Sequence, residues 1–275
     1  MCGIFGCVMI EGEVAPIIHS ALKRLEYRGY DSVGEATVFN EMLHIKKDAG
    51  KIDDVHVRLN LDDLPGKIGI GHTRWATHGA PVQVNAHPHT DCNGNIAVVH
   101  NGIIENFVEL RKELETKGHI FKSRTDTEII PHLIEENLKR NLGFSEAVRR
   151  ALKKLKGSYA IVVVYSREPN QIVCARKESP LVIGLGRGSA YCASDIPAFL
   201  PLTNKVIFLE EGEMAVLTFE SAKIFDIDTG NPRHYDVATI SWTSEMAEKA
   251  GRPHFMLKEI HEQPQALRNV LRTQE

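Results

Sequence analysis

The 275-residue sequence has no run of about 18 apolar residues, so no stretch has the composition of a membrane span. It has no excess of basic charge either. Lys and Arg number 33 against 36 Asp and Glu, a net charge of −3, which argues against a nucleic-acid protein or a polybasic membrane-surface protein. Cysteine is scarce and scattered, at Cys2, Cys7, Cys92, Cys174 and Cys192. An odd set without short paired spacing is neither a disulfide framework nor a zinc-site pattern. The start, MCGIFGCVMIEGE, lacks a basic opening and turns acidic at Glu11, so it is not a secretory signal. Cys rather than Gly at position 2 excludes myristoylation. These absences point to a cytoplasmic protein in a reducing compartment. What is present is a globular mix, 43% hydrophobic and 25% charged, able to bury a sizeable core.

The apolar run CGIFGCVMI reads as a buried strand that begins almost at the terminus. Val14, Ile17, Ile18, Ala21, Leu22 and Leu25 then recur at helical spacing, with Gly29 where a C-terminal cap belongs, which predicts a helix over 13–27. Strands are expected near 33–39, 43–46, 67–72 and 95–100. The last two flank a long polar loop, TRWATHGAPVQVNAHPHTDCNGN, and a loop of that length in a compact domain is usually functional. Phe107, Leu110 and Leu114 form a helical stripe closed by Gly118. Thr125-Asp126-Thr127-Glu128 fits a capping box before Ile129, Ile130, Leu133, Ile134 and Leu138. A third helix carries Ala147, Val148, Ala151, Leu152 and Leu155 and stops at Gly157. Short strands follow at regular intervals from SYAIVVVY to AKIFDI, as a sheet of hairpins. This order lacks the regular alternation of a doubly wound sheet. It fits an α+β fold with two antiparallel sheets face to face and helices outside. After about 240, TSEMAEKAG and FMLKEIHEQPQALRNVLRTQE read as tail helices separated by Pro253, with Pro264 limiting the second.

Several residues could do chemistry. If the initiator Met is removed, Cys2 carries a thiol and a free α-amino group on one residue. Their ordinary pKa values, about 8.5 and about 7.7–8.0, are close enough for the amine to act as base for its own nucleophile. Position alone fits a small buried core residue better. Asn101-Gly102 ends the strand Ala97-Val98-Val99-His100, where an Asn amide and a Gly N–H could form an oxyanion hole, or simply a turn. Arg74 in GHTRWATHG suits bidentate capture of a carboxylate, with Trp75 as an apolar wall and Thr77 and His78 as polar contacts. Asp126, in the first turn of its expected helix, could meet an ammonium group or serve as a cap. His87-Pro88-His89, with His72, His78 and His100, invites a metal reading. No Asp, Glu or third His falls at a characteristic ligand spacing and no HExxH occurs, so loop-shaping hydrogen bonds are expected and no metal is. The glycine-rich GRGS at 186–189 lies between short strands and reads as a hairpin turn, not a nucleotide loop.

In order along the chain, CGIFG, LEYRGYDS, GHTRWATHG, AHPH, HNGIIEN and SRTDTE resemble the class II glutamine amidotransferases, which have an N-terminal nucleophile. RGYDS, TRWATHG and SRTDTE look specifically like the glutaminase domains of the glucosamine-6-phosphate synthase (glutamine–fructose-6-phosphate aminotransferase) family. FMLKEIHEQP resembles the segment joining that domain to a sugar-isomerase half. The resemblance implies a four-layer αββα sandwich, the N-terminal-nucleophile hydrolase fold. Residues 1–240 would be the glutaminase domain, and 241–275 a linker towards a sugar-isomerase domain or subunit absent from this chain. It implies Cys2 as nucleophile and its α-amino group as base, with Asn101 and Gly102 as the oxyanion hole. Arg74 and Asp126 would hold the two ends of L-glutamine, Trp75, Thr77 and His78 would belong to the closing loop, and His87 would lie nearby. No cofactor is expected, nor any nucleic-acid or membrane partner. Homo-oligomerisation stays open.

Overall fold

A computed structural model describes residues 2–76, 79–241 and 255–272. The chain divides into two units, Met1–Thr239 and Ile240–Glu275. The first holds two sheets in which every paired strand is antiparallel to its neighbour. The eight-stranded sheet contains β1 (Gly3–Met9), β2 (Ser32–Phe39), β3 (Met42–Ala49) and β4 (Ile68–Arg74). Its other strands are β9 (Val182–Gly186), β10 (Ser189–Ala193), β11 (Lys205–Phe208) and β15 (Ala238–Thr239). Their order is β15-β11-β9-β10-β1-β4-β2-β3. The seven-stranded sheet contains β5 (His89–Thr90), β6 (Ile96–Ile104), β7 (Gly157–Tyr165), β8 (Ile172–Lys177), β12 (Glu213–Leu217), β13 (Ala222–Asp226) and β14 (Pro232–Arg233). Its order is β14-β13-β12-β8-β7-β6-β5.

Side chains alternate across a strand, so an uninterrupted apolar run such as Ala160–Val164 must bury both faces. Ala160, Val162 and Val164 face a core between the sheets, with Ile4, Val8, Ile68 and Ile70 on the other side. Ile161 and Val163 face a second core under the helices α3 (Phe107–Thr116), α4 (Ile129–Leu138) and α5 (Phe144–Leu152). Each buried Val or Ile stabilises the fold by about 1.5–3 kcal/mol relative to exposure. On the outer side of the first sheet lies α1 (Ala15–Leu25), against β1 and β4. Its buried Ile18, Leu22 and Leu25 recur every three to four residues, the spacing that builds one apolar face. The layers are therefore αββα, the α+β sandwich expected. A short α2 (Ile52–Leu59), which the sequence pattern did not announce, follows β3.

Three local expectations change. The first helix ends at Leu25 in a 3-10 turn, and Gly29 is extended rather than left-handed. Glycine is required there for another reason: a Cβ would lie 2.7 Å from the Arg74 carbonyl carbon and the Trp75 nitrogen. The capping box does not form, because α4 starts only at Ile129 and the Glu128 carboxylate instead accepts the backbone N–H groups of Lys122 and Ser123, at 2.8 and 2.6 Å. In the second unit, α6 (Phe255–Arg272) continues through Pro264 rather than stopping there, at the loss of one backbone hydrogen bond. The expected helix TSEMAEKAG lies outside the described residues. Among the described residues, no helix is long and apolar enough to cross a membrane.

Candidate active site

The strand alternation places the candidate residues. In β1 and β4 the even-numbered Ile4, Val8, Ile68 and Ile70 face the inter-sheet core, and Cys2, His72 and Arg74 continue those rows. The register sets His72 opposite Ile4. In β6 the odd-numbered Ala97 and Val99 face the same core, and Asn101 continues their row. The ends of three strands from two sheets thus converge.

The contacts follow. The Trp75 N–H donates to Cys2 Sγ at 3.1 Å. The Cys2 carbonyl accepts from Asn101 Nδ2 at 2.8 Å and from Arg28 Nε at 3.1 Å. His72 Nε2 lies 3.0 Å from Asn101 Oδ1 and 3.1 Å from the His100 carbonyl. Both neighbours are acceptors, so this nitrogen carries the ring proton. Asn101 is thereby fixed with its oxygen towards His72 and its nitrogen towards Cys2. Burial pulls His72 down to about 3, which keeps the ring neutral. Burial pushes the Cys2 thiol up, against the pull of the Trp75 N–H and the Arg74 and Arg28 charges.

Gly102 is required by its backbone, at φ +125°, where a Cβ would meet the Ser158 carbonyl oxygen at 2.1 Å. Arg74 is buried, with Nη2 3.3 Å from the Gly79 carbonyl. Burial pulls its guanidinium down, while the charges of Cys2, Asp126 and Asp31 favour it. Trp75 is 48% exposed, its ring 5.8 Å from that of Tyr30 and edge-on. Asp126 is buried, and its Oδ2 accepts the Ile104 N–H at 2.8 Å. It lies before α4, not in its first turn. His87 stacks on His72 at 4.1 Å, and its Nε2 bonds Thr127 Oγ1 at 3.0 Å. It joins the corner through His72. Thr77 and His78 lie outside the described residues.

Sequence reasoning missed four members of this corner. Arg28 grips the Cys2 carbonyl and is held by Asp195 Oδ2 at 3.1 Å. Asp31 accepts the Ala76 N–H at 2.8 Å and gives its own N–H to the Arg74 carbonyl at 2.9 Å, which fixes the start of the Trp75 loop. His72 orients Asn101, and Thr127 serves both His87 and His100. Arg28 and Asp31 sit in LEYRGYDS, to which no individual role was assigned, and His72 sits in GHTRWATHG, where only loop-shaping hydrogen bonds were expected of it.

Residues 72–201 match the glutamine amidotransferase domain family. The glutamine phosphoribosylpyrophosphate amidotransferase of B. subtilis, solved with ADP and GMP, superposes with a TM-score of 0.72 at 29% identity, over 83% of this chain and 50% of that one. The fold is that of the N-terminal-nucleophile glutamine amidotransferases. The chain is 55% identical over 271 residues to the glutamine–fructose-6-phosphate aminotransferase (isomerizing) of Methanothermobacter thermautotrophicus, covering 98% of this chain and 45% of that protein. The protein of the same name from Thermococcus kodakarensis gives the same identity and the same coverage. The chain therefore carries a glutamine amidotransferase domain of the kind found in glutamine–fructose-6-phosphate aminotransferases, and spans a little under half the length of these relatives.

Proposed function

We propose that this chain hydrolyses L-glutamine to glutamate and ammonia through a γ-glutamyl thioester on Cys2. The ammonia would serve the formation of glucosamine 6-phosphate from fructose 6-phosphate, in a sugar-isomerase domain or subunit outside this chain. Residues 1–240 act as the glutaminase domain and 241–275 as the linker towards that part. Removal of Met1 frees the Cys2 α-amino group. That amine takes the thiol proton, and the thiolate attacks the side-chain amide carbon of glutamine. The carbonyl oxygen becomes an oxyanion, stabilised by Asn101 Nδ2–H and Gly102 N–H. The C–N bond breaks as the amine returns its proton to the leaving ammonia. Water then attacks the thioester, releasing glutamate and restoring the thiol. Arg74 pairs with the substrate α-carboxylate and Asp126 with its ammonium group, which restricts the site to a free amino acid. Trp75, Thr77 and His78 close over it, and His87 supports His72. A cytoplasmic setting goes with this chemistry, since the thiol must stay reduced.

One observation carries the reading: Asn101 Nδ2 is directed at Cys2, with its second N–H not needed for the bond to the Cys2 carbonyl. A diazoketone analogue of glutamine tests it. The expected result is one label per chain, mapped to the Cys2 peptide and blocked by excess glutamine. Glutamine hydrolysis that continues with no label on Cys2 overturns the assignment.

A further inference from the structure

A second cluster of reactive side chains lies away from Cys2. Cys92 sits in the turn after β5, His119 just beyond α3, and His132 and Glu135 one turn apart on α4. Both histidines and Glu135 are buried. Four donor atoms, one per residue, come within 4.8 Å of one another. His119 Nδ1 and His132 Nδ1 are 3.1 Å apart, and Cys92 Sγ is 3.5 Å from each. Glu135 Oε2 is 3.2 Å from His119 Nδ1 and 3.6 Å from His132 Nδ1. Zinc bonds of about 2.0–2.1 Å to N or O and about 2.3 Å to S require tetrahedron edges of about 3.3 Å and about 3.5 Å respectively. Five of the six separations lie within about 0.3 Å of those edges, and the sixth, Cys92 to Glu135, is within 4.8 Å.

We propose that Cys92, His119, His132 and Glu135 form a tetrahedral site for a divalent transition metal, with zinc favoured by the donor set. Hydrogen bonding accounts for the cluster only with a charged imidazolium at buried His119. A neutral His119 that donates from Nε2 to Glu136 Oε1, at 3.0 Å, turns the bare Nδ1 lone pair towards the Glu135 carboxylate. A doubly protonated His119 would satisfy both carboxylates and leave the Cys92 S–H to donate to His132 Nδ1 at 3.5 Å, but only by placing an imidazolium charge on a buried ring. A cation serves all four atoms. Its two positive charges would balance one thiolate and one carboxylate, so the closed site is neutral.

The outer contacts fit the same reading. Histidine ligands characteristically give their other ring nitrogen to a carboxylate. Here Glu136 accepts from His119 Nε2 at 3.0 Å, whereas Glu128, 3.9 Å from His132 Nε2, is near but not hydrogen-bonded to it. Glu135 Oε1 is held by Asn93 Nδ2 at 3.1 Å and Lys139 Nζ at 3.2 Å, while Oε2 accepts the Cys92 N–H at 3.3 Å and keeps a second lone pair for the cluster. A closed four-ligand set with no open position is structural rather than catalytic. His119 and His132 bracket 120–131, the segment that carries Asp126 and Thr127, so the ion would clamp both ends of a wall of the glutamine site. This departs from the expectation of no metal. That expectation weighed the His87–His89 group and the spacing of the cysteines, Cys92 among them, but not His119, His132 or Glu135.

The test uses the untagged chain, stripped with a strong chelator, reloaded with zinc or cobalt and dialysed against a weak one. We expect about one zinc per chain by elemental analysis, and a melting temperature at least about 5 °C above that of the stripped chain. The cobalt form should show tetrahedral d–d bands and a thiolate-to-cobalt charge-transfer band. Cys92→Ser should lose the charge-transfer band, and His119→Ala should retain less than a tenth of the metal. His56→Ala, in the smaller His19–His56–Asp62 group, should retain all of it. If His119→Ala does not fold, the cobalt spectrum of the unaltered chain decides. The proposal is overturned if the stripped chain takes up neither metal with no thermal shift. It is also overturned if metal persists in Cys92→Ser and His119→Ala but leaves with His56→Ala.

Discussion

Two sets of buried histidines flank the chain that leads into α4, and they are built differently. In the row beside Cys2, His72 stacks on His87, and His87 meets His89 edge-on at 4.8 Å. One nitrogen of each ring goes to a threonine hydroxyl, a carbonyl or an amide oxygen: His87 and His100 to Thr127, His89 to Thr125, and His72 to Asn101 and the His100 carbonyl. In the second set the nitrogens face each other, a thiol and carboxylates. Ring faces in contact build a rigid neutral wall, whereas ring nitrogens in convergence build a cation site. The number of histidines does not distinguish the two, but the direction of their nitrogens does.

The comparison can be tested at either set. The largest expected effect is at the corner that the neutral row supports. Asn101→Ala should lower kcat for glutamine hydrolysis by about 10²–10³-fold with little change in KM, and should leave the metal content unchanged. Metal loss in that variant would mean that the two regions are not separable. Arg74→Lys should come next, raising KM about 10–100-fold, because a point charge replaces a bidentate fork. An unchanged KM would remove Arg74 from the site.

The pH dependence of stability tests the neutrality of the row. Burial lowers His72, His87, His89 and His100 below the ordinary histidine range. Below about pH 6.5 the unfolded chain binds protons that the folded chain refuses, so these groups lose stability as pH falls. Each contributes a slope of about 1.4 kcal/mol per pH unit. Glu35 opposes them, since its buried carboxyl is pushed well above its ordinary range and binds a proton when folded. Asp91, also raised by burial, acts in the same sense as Glu35, but between pH 6.5 and 5 the four histidines outweigh these two acids, and urea midpoints should fall with pH. A flat or rising profile would show that the row is charged. The smallest effect is expected at the edge of the second set. Lys139 is half-exposed, and Lys139→Ala should change unfolding free energy by no more than about 0.5 kcal/mol.

Much of the architecture was legible because its periodicity is strong. The double-faced run of β7 and the α1 stripe both follow from residue spacing alone. Cys2, Arg74 and Asn101 were legible as motif members, and alternation explains why they meet. Other features were hidden because they depend on tertiary neighbours. Gly29 looked like a helix cap, but what excludes a side chain there is the backbone of Arg74 and Trp75, more than forty residues away. Thr125 and Glu128 had capping-box spacing, but His89 and the Lys122–Ser123 backbone claim them. Cys92, His119, His132 and Glu135 sit at no standard ligand spacing, because a helix separates the first two and only folding closes the set. The one local trace is His132-x-x-Glu135 on α4, one turn apart on the same face.

The central claim concerns Cys2 with its amine unblocked. Glutamate release should be measured on two forms of the chain, each assigned by intact mass: one lacking Met1 and one retaining it. The account predicts steady release from the first, and loss of that release both in the second and in Cys2→Ala. Equal release from the Met1-retaining form, or from Cys2→Ala, would contradict it.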